Sequence, residues 1–189
     1  MNVPSLPTAG TILDGLLHPP PPGNGKRPDQ EPAEIMDSIA ALHRNNVEQW
    51  DREDDARRDP ADDARVAAAK RDIDQLNRAR HALIEAIDRL ISCAIGPSPD
   101  APLVTESPGM AIDRLSVLVI RLDSTEARAA SGTADAGIFA ERIPRLQSQL
   151  DALEQATATL FDDLAHGTRR FLAHESLKLY GREDAGRAG

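Results

Sequence analysis

The sequence predicts an all-α protein, a bundle of about four long helices arranged as antiparallel hairpins with no β-sheet. Three observations predict this fold class. Hydrophobic residues make up 40% of the 189 residues and aromatic residues only 3%; alanine and leucine, which suit helices better than sheets, supply most of the apolar volume. No stretch shows the period-2 alternation of Val, Ile and Thr that marks a strand. Apolar residues instead recur at helical spacing.

The bundle is predicted to lie between two tails. Residues 1–30 are expected to form a flexible, proline-rich N-terminal tail in which residues 11–17 can form one or two helical turns. The proline run at residues 19–22 cannot hold a helix and offers little to bury. We interpret it as a spacer, with a polyproline ligand for another domain as the alternative. A single helical-bundle domain is expected over residues 31–181 and a frayed C-terminus over residues 182–189.

The first two helices are predicted to form an antiparallel hairpin. The first spans residues 34–58 and ends at the Asp59-Pro60 pair, because a residue before proline disfavours the helical conformation. The second begins at Asp62 or Asp63, acidic residues that suit a helix N-terminus, and ends at Ile95 before a Gly-Pro pair. The link between these helices is short, which favours antiparallel packing.

The third helix is predicted to be the most buried element. Ser107 and Pro108 are typical of an N-cap followed by proline at the first helical position, and the helix runs to about Ala130 before a Ser-Gly pair. Residues 115–122 read LSVLVIRL, which is apolar nearly all round. A helix without a polar face packs in the interior.

The fourth helix is predicted over about residues 135–180. Its apolar residues are spaced as a heptad seam: Phe139, Ile143, Leu146, Leu150, Leu153, Thr157, Leu160 and Leu164. Pro144 kinks the first turns or marks the true start. Gly167 takes the next seam position, where we expect close backbone approach or a bend, and Phe171, His174 and Lys178 follow in phase. The seam and the low aromatic content favour a homodimer.

Composition narrows the function classes. The net charge is −9, from 31 acidic and 22 basic residues, which argues against nucleic-acid binding through phosphate neutralisation. A single cysteine excludes an internal disulfide framework. We find no signal peptide and no apolar run long enough to span a membrane, so a cytoplasmic protein is expected. No phosphate-binding loop, dinucleotide fingerprint, nucleophile elbow or zinc spacing is present.

Two helices carry polar stripes that continue apolar ones. On the first helix the face that begins with Ile35 and Leu42 continues as His43, Asn46, Trp50, Glu53, Asp54 and Arg57, within an arc of about 100°. On the second helix an arc of about 60° holds Lys70, Asp74, Asn77, His81 and Asp88. The hairpin is expected to place Trp50 opposite Lys70, Asn46 near Asp74 and His43 near Asn77. The end of the third helix, with Arg121 and Asp123, returns to the same end of the bundle.

These stripes have three interpretations: a ligand site, a buried polar network that fixes helix register, or a solvated helix end. In the site interpretation His43 is an acid or base near neutral pH and, with Glu53 and Asp54, forms a catalytic set. Glu53, Asp54 and Asp74 are candidate ligands for Mg²⁺. Lys70 and Arg80 are candidates for phosphate contacts and Trp50 for stacking on a base or sugar. The complete set of candidate ligand-binding residues is Asn46, Trp50, Lys70, Asn77, Arg80 and His81.

Four segments carry a resemblance to a known family. Residues 42–54 (LHRNNVEQWDRED), residues 70–80 (KRDIDQLNRAR) running on to 84–88 (IEAID), and residues 101–116 (APLVTESPGMAIDRLS) resemble the bacterial family known as domain of unknown function 4254, and residues 178–180 (KLY) match it more weakly. The chain departs from the family pattern at Ser124, where a histidine is expected, and at Gly181, where an asparagine is expected. The resemblance implies an all-helical fold, no activity that can be carried over, and a link to cell-surface polysaccharide synthesis.

Two functions therefore remain open. The favoured one is a scaffold or an oligomeric, ligand-binding protein. The alternative is a Mg²⁺-dependent enzyme that acts on a phosphorylated sugar or nucleotide.

Overall fold

The computed structural model describes residues 6–19, 31–58, 62–96 and 98–175. Six helices occupy these residues: α1 (Ala9–Leu17), α2 (Glu31–Arg58), α3 (Asp63–Ile95), α4 (Pro108–Ala129), α5 (Ala136–Ala140) and α6 (Ile143–Ala165). Within the described ranges no strand forms, and the one β-type pairing is an isolated bridge between Leu103 and Arg170. The predicted all-α class is confirmed. None of the described helices combines the length and apolarity that a membrane span requires.

Capping side chains and a glycine mark the starts of α3 and α4 and the end of α3. The Asp62 carboxylate accepts a hydrogen bond from the Arg65 backbone N–H at the start of α3, and the Ser107 hydroxyl accepts one from Met110 at the start of α4. Gly96 follows the last residue of α3 with a φ of 71°. These ends agree with those that the sequence predicts for the α2–α3 hairpin and for α4.

Helix α4 is the centre of the bundle. Eleven of its 22 residues are buried, and it contacts α1, α2, α3, α5 and α6. Ile112, Leu115 and Val119 are fully enclosed. The core around them is formed by side chains from the long helices and from α1: Ile12, Leu16, Ile35, Ile39, Leu42, Ile84, Ile87, Ile91, Leu150 and Phe161. The apolar run at residues 115–122 of α4 therefore lies in the interior of the bundle, as the sequence predicts.

Helix α1 is part of this core. Ile12 and Leu16 are almost fully buried, and α1 contacts α2, α4 and α6. The sequence predicts that this segment is part of a tail, because the helix is short and a proline run follows it. Two apolar side chains one turn apart are nevertheless enough to dock it on the bundle. The proline run itself lies outside the described residues, except for Pro19.

The predicted fourth helix over residues 135–180 is wrong at its C-terminal end, whereas near its start Pro144 marks the beginning of α6, one of the two alternatives that the sequence offers. Its start is divided into α5 and α6, with Pro144 in the first turn of α6. Its end lies at Ala165, where Gly167 (φ 68°) closes the helix: the Gly167 N–H donates to Leu164 O and the Thr168 N–H to Asp163 O, which is a Schellman motif. Phe171 and His174 therefore lie on an extended segment, while Lys178 and Tyr180 fall outside the described residues.

The heptad seam of α6 packs within the chain. Leu150, Thr157 and Leu164 are buried, and α6 contacts α4 and α1. The seam thus contributes to the core of one protomer. Self-association stays a prediction.

Candidate functional site

A layer of polar side chains is buried between α2 and α4. His43 and Asn46 of α2 are each 5% exposed, and Asp113 and Ser116 of α4 are 2% and 0% exposed. The Asn46 side-chain amide donates to Asp113 Oδ1 at 3.0 Å and to Ser116 Oγ at 3.1 Å. His43 Nδ1 lies 3.0 Å from Ser116 Oγ. Part of the polar stripe of α2 is therefore a hydrogen-bonded network within the core.

Arg80 connects α3 to this layer. Its guanidinium forms a two-point ion pair with Asp113, with Nε 2.7 Å from Oδ1 and a terminal nitrogen bonded to Oδ2. The hydrogen bond to Asp113 raises the pKa of Arg80 against the opposing effect of burial. Three helices consequently converge on one carboxylate.

The environment of His43 favours the neutral imidazole. Burial lowers the pKa of the imidazole, an effect that the Asp123 charge opposes and the Arg44 charge reinforces. A neutral ring can accept a hydrogen bond at Nδ1 from the Ser116 hydroxyl, whose oxygen accepts from Asn46. His43 is thereby held in the core.

The polar stripes do not meet in the predicted way. The α2–α3 contact uses Asn45, which donates to Leu76 O at 3.2 Å, and Arg52, which lies 3.7 Å from Asp72. Residues 43 and 46 instead face α4, because α4 takes the central place in the bundle. Lys70 and Asp74 are exposed on α3, and Asn77 is half-buried there. The expected pairing of Asn46 with Asp74 is therefore wrong, since Asn46 bonds to Asp113 and Ser116; the placement of Trp50 opposite Lys70 stays a prediction.

A small cavity of about 170 Å³ opens beside this polar layer. Asn46, Gln49, Trp50 and Glu53 contribute one wall from α2, and Arg80 and Arg121 contribute guanidinium groups. Two buried oxygens of these residues, Asn46 Oδ1 and Gln49 Oε1, have no hydrogen-bond partner among the described residues. Buried acceptors without partners carry a free-energy cost.

A larger cavity of about 440 Å³ adjoins the small one, because Trp50 and Arg121 line both. Its lining combines the C-terminal half of α2 and α4 with α5 and α6. The charged side chains are one carboxylate, Asp54, and five arginines: Arg57, Arg121, Arg128, Arg142 and Arg145. The cavity is therefore strongly cationic in a chain whose net charge is −9.

Three of the five arginines have no carboxylate partner in the part of the chain that the structure describes. Arg57 pairs with Glu53 at 2.9 Å and with Asp54 at 3.0 Å, and Arg128 lies 3.5 Å from Asp54. Among the described residues no carboxylate lies within 4.0 Å of the guanidinium groups of Arg121, Arg142 or Arg145. This cavity has the charge and the donor groups that an anion requires.

Phe139 holds two of these arginines in place. The guanidinium carbons of Arg128 and Arg142 lie 5.3 Å and 5.4 Å from the centre of its ring. These are cation–π distances. Short α5 thus positions an aromatic side chain between the end of α4 and the start of α6.

A third cavity of about 650 Å³ lies between α4 and α6 and also reaches Arg121. Its walls combine Arg80 and Arg114 with apolar side chains of both helices, among them Leu118 and Leu153. Arg114 pairs with Glu106 at 2.8 Å, and Arg80 pairs with Asp113, so this cavity is less cationic than its neighbour.

The predicted metal ligands are not brought together. Glu53 and Asp54 bind Arg57, while Asp74 is exposed on α3. In the described part of the chain no group of three or more His, Cys, Asp or Glu side chains is placed to hold a metal ion. The Mg²⁺ site proposed from Glu53, Asp54 and Asp74 therefore does not form in this arrangement.

His81 belongs to a different part of the molecule. Its Nδ1 lies 3.0 Å from His174 Nε2, and the two rings stack at 5.1 Å. Burial, together with the charges of His174 and Arg80, lowers the pKa of His81. This pair joins the C-terminal segment to α3, and neither histidine lines the cationic cavity.

Several residues of the site were missed from the sequence. Asp113 had a usable signal, since it is a charged residue close to the apolar run at residues 115–122 of a helix that is predicted to be buried. Arg128, Arg142 and Arg145 had none, because they lie at the end of α4 and the start of α6, in segments with ordinary surface composition. Ser124, the position that departs from the family pattern, lines the larger cavity; Gly181 lies outside the described residues.

Comparison with known proteins gives one match. The sequence model of a family described as protein of unknown function, DUF4254, matches residues 36–172. No curated protein and no solved structure matches the chain significantly. The matched range includes every residue of the polar layer and of the three adjoining cavities.

Proposed function

Since the chain belongs to the DUF4254 family, whose members share no assigned activity, we propose from the site itself that this protein binds a phosphorylated small molecule, a sugar phosphate or a nucleotide, in the cationic cavity. The observation that carries the proposal is the composition of that cavity: five arginines against one carboxylate. An excess of arginines at one place is unexpected in an acidic protein unless an anion neutralises them.

The side chains suit a phosphate group. A guanidinium presents planar, paired N–H donors that match phosphate oxygens. Arg142 and Arg145, one turn apart at the start of α6, face the end of α4 with Arg121 and Arg128 across the cavity. Its volume of about 440 Å³ is within the usual range for small-molecule sites. Trp50 supplies an aromatic surface at the boundary with the small cavity.

The proposal is binding, and it includes no catalytic step. His43, the expected acid or base, is buried in the polar layer and lines neither the small nor the cationic cavity. The network of His43, Asn46, Asp113 and Ser116 fits the interpretation of a layer that fixes helix register. A role in cell-surface polysaccharide synthesis would be consistent with such a ligand, because sugars are activated as phosphate esters.

Titration calorimetry with hexose 1-phosphates and nucleoside diphosphates tests the proposal. The double variant Arg142→Gln/Arg145→Gln removes two cations of the cavity that pair with no carboxylate of the described residues. The matched control Arg71→Gln/Arg78→Gln removes the same charge from the exposed surface of α3. We expect wild type and control to bind at least one ligand of the panel, and the cavity variant to bind it at least about tenfold more weakly. Equal affinity in both variants, or no binding by wild type, would refute the proposal.

A further inference from the structure

The chain between α6 and residue 175 is not helical, and its first part is held by bonds that do not depend on pH. The Arg170 N–H donates to Pro102 O at 3.0 Å, and Arg170 O accepts from the Val104 N–H at 2.9 Å. The Arg170 guanidinium donates to Ala101 O at 2.8 Å. Backbone amides and guanidinium groups do not titrate near neutral pH. Phe171, the next residue, packs against the hydrophobic core.

The following residues, 172–175, are attached to α3 through His174. Its backbone N–H donates to Asp88 Oδ2 at 2.8 Å. Its ring nitrogen Nε2 lies 3.0 Å from His81 Nδ1, which is a hydrogen-bonding distance. Both imidazoles are half-buried. This part of the chain is therefore held by groups that titrate, in contrast to the part at Arg170.

A hydrogen bond between two imidazoles depends on how many protons the pair carries. One of the facing nitrogens must carry a hydrogen and the other must offer a lone pair. When both rings are neutral this condition is met. One added proton preserves the bond, because an imidazolium donates to a neutral ring in a charge-assisted bond. A second added proton places N–H groups and positive charges on both rings at 3.0 Å, so the bond is lost.

Charged groups of two helices act on the pair. Burial has the largest effect on His81 and the charge of His174 the next, and together with Arg80 they lower its pKa. Glu85 of α3 and Asp113 of α4 act in the opposite direction and are outweighed. In the released chain both imidazoles regain their ordinary pKa of about 6.5. The released state therefore binds more protons than the attached state, and acid favours release.

We propose that the His81–His174 hydrogen bond is a pH-sensitive switch, which holds residues 172–175 on α3 in neutral solution and releases them in mildly acidic solution. Release ends before Phe171, whose core contacts do not titrate. The helices stay in place, because residues 172–175 contribute no side chain to the hydrophobic core. Acid thus detaches one short segment of the fold.

Amide hydrogen exchange measured by NMR tests the switch at single residues. Release with uptake of one proton shifts the equilibrium by up to about tenfold per pH unit below a pH of about 6.5. We therefore expect the protection factor of the His174 N–H to fall about tenfold between pH 7.5 and pH 5. The Arg170 N–H, bonded to Pro102, should change less than about twofold after correction for the global unfolding reported by the Leu115 amide of α4.

Two variants remove the pair and keep a ring at each position. His81→Phe and His174→Phe should each lower the protection of the residue 174 N–H at pH 7.5, because the ring hydrogen bond is absent. The protection that remains should change less than about twofold between the two pH values. His166→Gln, at an exposed position after α6, is the matched control and should keep the wild-type pH dependence. Circular dichroism shows that each variant is folded.

Two results would overturn the proposal. In the first, the His174 N–H of wild type keeps the same protection factor at both pH values. In the second, His81→Phe retains the pH dependence of wild type. That result would assign the pH dependence to Asp88, the other titratable side chain bonded to His174.

Discussion

Arg80 of α3 and Asp113 of α4 form a two-point ion pair whose arginine reaches from the polar layer to the small cavity. Asp113 also accepts a hydrogen bond from Asn46 of α2, so its carboxylate joins three helices. The Asp113 side chain is 3% exposed and that of Arg80 is 27% exposed. Arg80 therefore both stabilises the polar layer and lines the small cavity.

Replacement of Asp113 should destabilise the bundle strongly. Asp113→Ala leaves the Arg80 guanidinium and the Asn46 amide without their acceptor in a buried place. Loss of one partner of such a pair costs about 3–5 kcal/mol, which corresponds to a fall in melting temperature of roughly 6–20 °C for a chain of this size. Urea and thermal unfolding measure the loss. Asp123→Ala, at an exposed position on the same helix, should change stability little; an equal loss in the two variants would contradict this role.

Stability should fall in mildly acidic solution. Burial lowers the pKa of His43 in the folded state. In the unfolded chain this imidazole has its ordinary pKa of about 6.5 and therefore binds a proton more readily. The free energy of unfolding therefore decreases as the pH falls from about 7 to 5, by at most about 1.4 kcal/mol per pH unit for one group. Burial of His81 acts in the same direction.

His43→Gln should make this pH dependence shallower, while His166→Gln, at an exposed position after α6, should leave it unchanged. Unfolding curves at several pH values give both slopes. A slope in His43→Gln as steep as that of wild type would assign the pH dependence to other groups.

Gly109 marks the closest approach of α3 and α4. A Cβ at this position would lie 2.7 Å from Ile84 O and 2.8 Å from Asp88 Oδ1. Gly109→Ala should therefore lower the free energy of unfolding by about 1–3 kcal/mol, the usual effect of overpacking. Gly137→Ala on α5 meets nothing within 4 Å and should be neutral or stabilising by up to about 1 kcal/mol. Equal changes in the free energy of unfolding for the two variants would show that α3 and α4 can move apart at residue 109 without loss of stability.

Asp88 should control the attachment of the C-terminal segment. This fully buried carboxylate accepts from the Gly109 N–H at 2.7 Å and from the His174 N–H at 2.8 Å. Asp88→Asn presents one acceptor oxygen in place of two, so one of these donors loses its partner. Limited proteolysis should then cut residues 171–175 faster than in wild type. Asp74→Asn, at an exposed position of the same helix, provides the comparison and should be cut at the wild-type rate.

The helices were predictable because local signals mark them. Ser107 with Pro108, and Asp62, determine helix starts through their own backbone chemistry. The end of α6 was not predicted, because Phe171 and His174 continue the heptad phase after Gly167. Only the hydrogen bonds of the Schellman motif and the pairing of Arg170 with the loop at Pro102 and Val104 show that the helix has ended.

The candidate site was predictable only in part. The polar stripe on α2 contains Trp50, Asn46 and Glu53, and all three line the small cavity. A short link favours a hairpin, so the sequence predicts that the polar stripe of α2 packs against α3. The periodicity of a helix does not show which neighbouring helix each of its faces contacts. The arginines of the larger cavity come from three separate segments, α2, α4 and the start of α6, and only the tertiary structure brings them together.

Trp50 makes the central claim directly measurable, because it is the only tryptophan of the chain and it lines both the small and the cationic cavity. Its fluorescence is titrated with hexose 1-phosphates and nucleoside diphosphates at low and at high salt. The account predicts a saturable change whose midpoint moves to higher ligand concentration as salt increases, and whose amplitude is lost in Arg142→Gln/Arg145→Gln. Fluorescence that no phosphorylated ligand alters, or a midpoint that the double variant leaves unchanged, would contradict it.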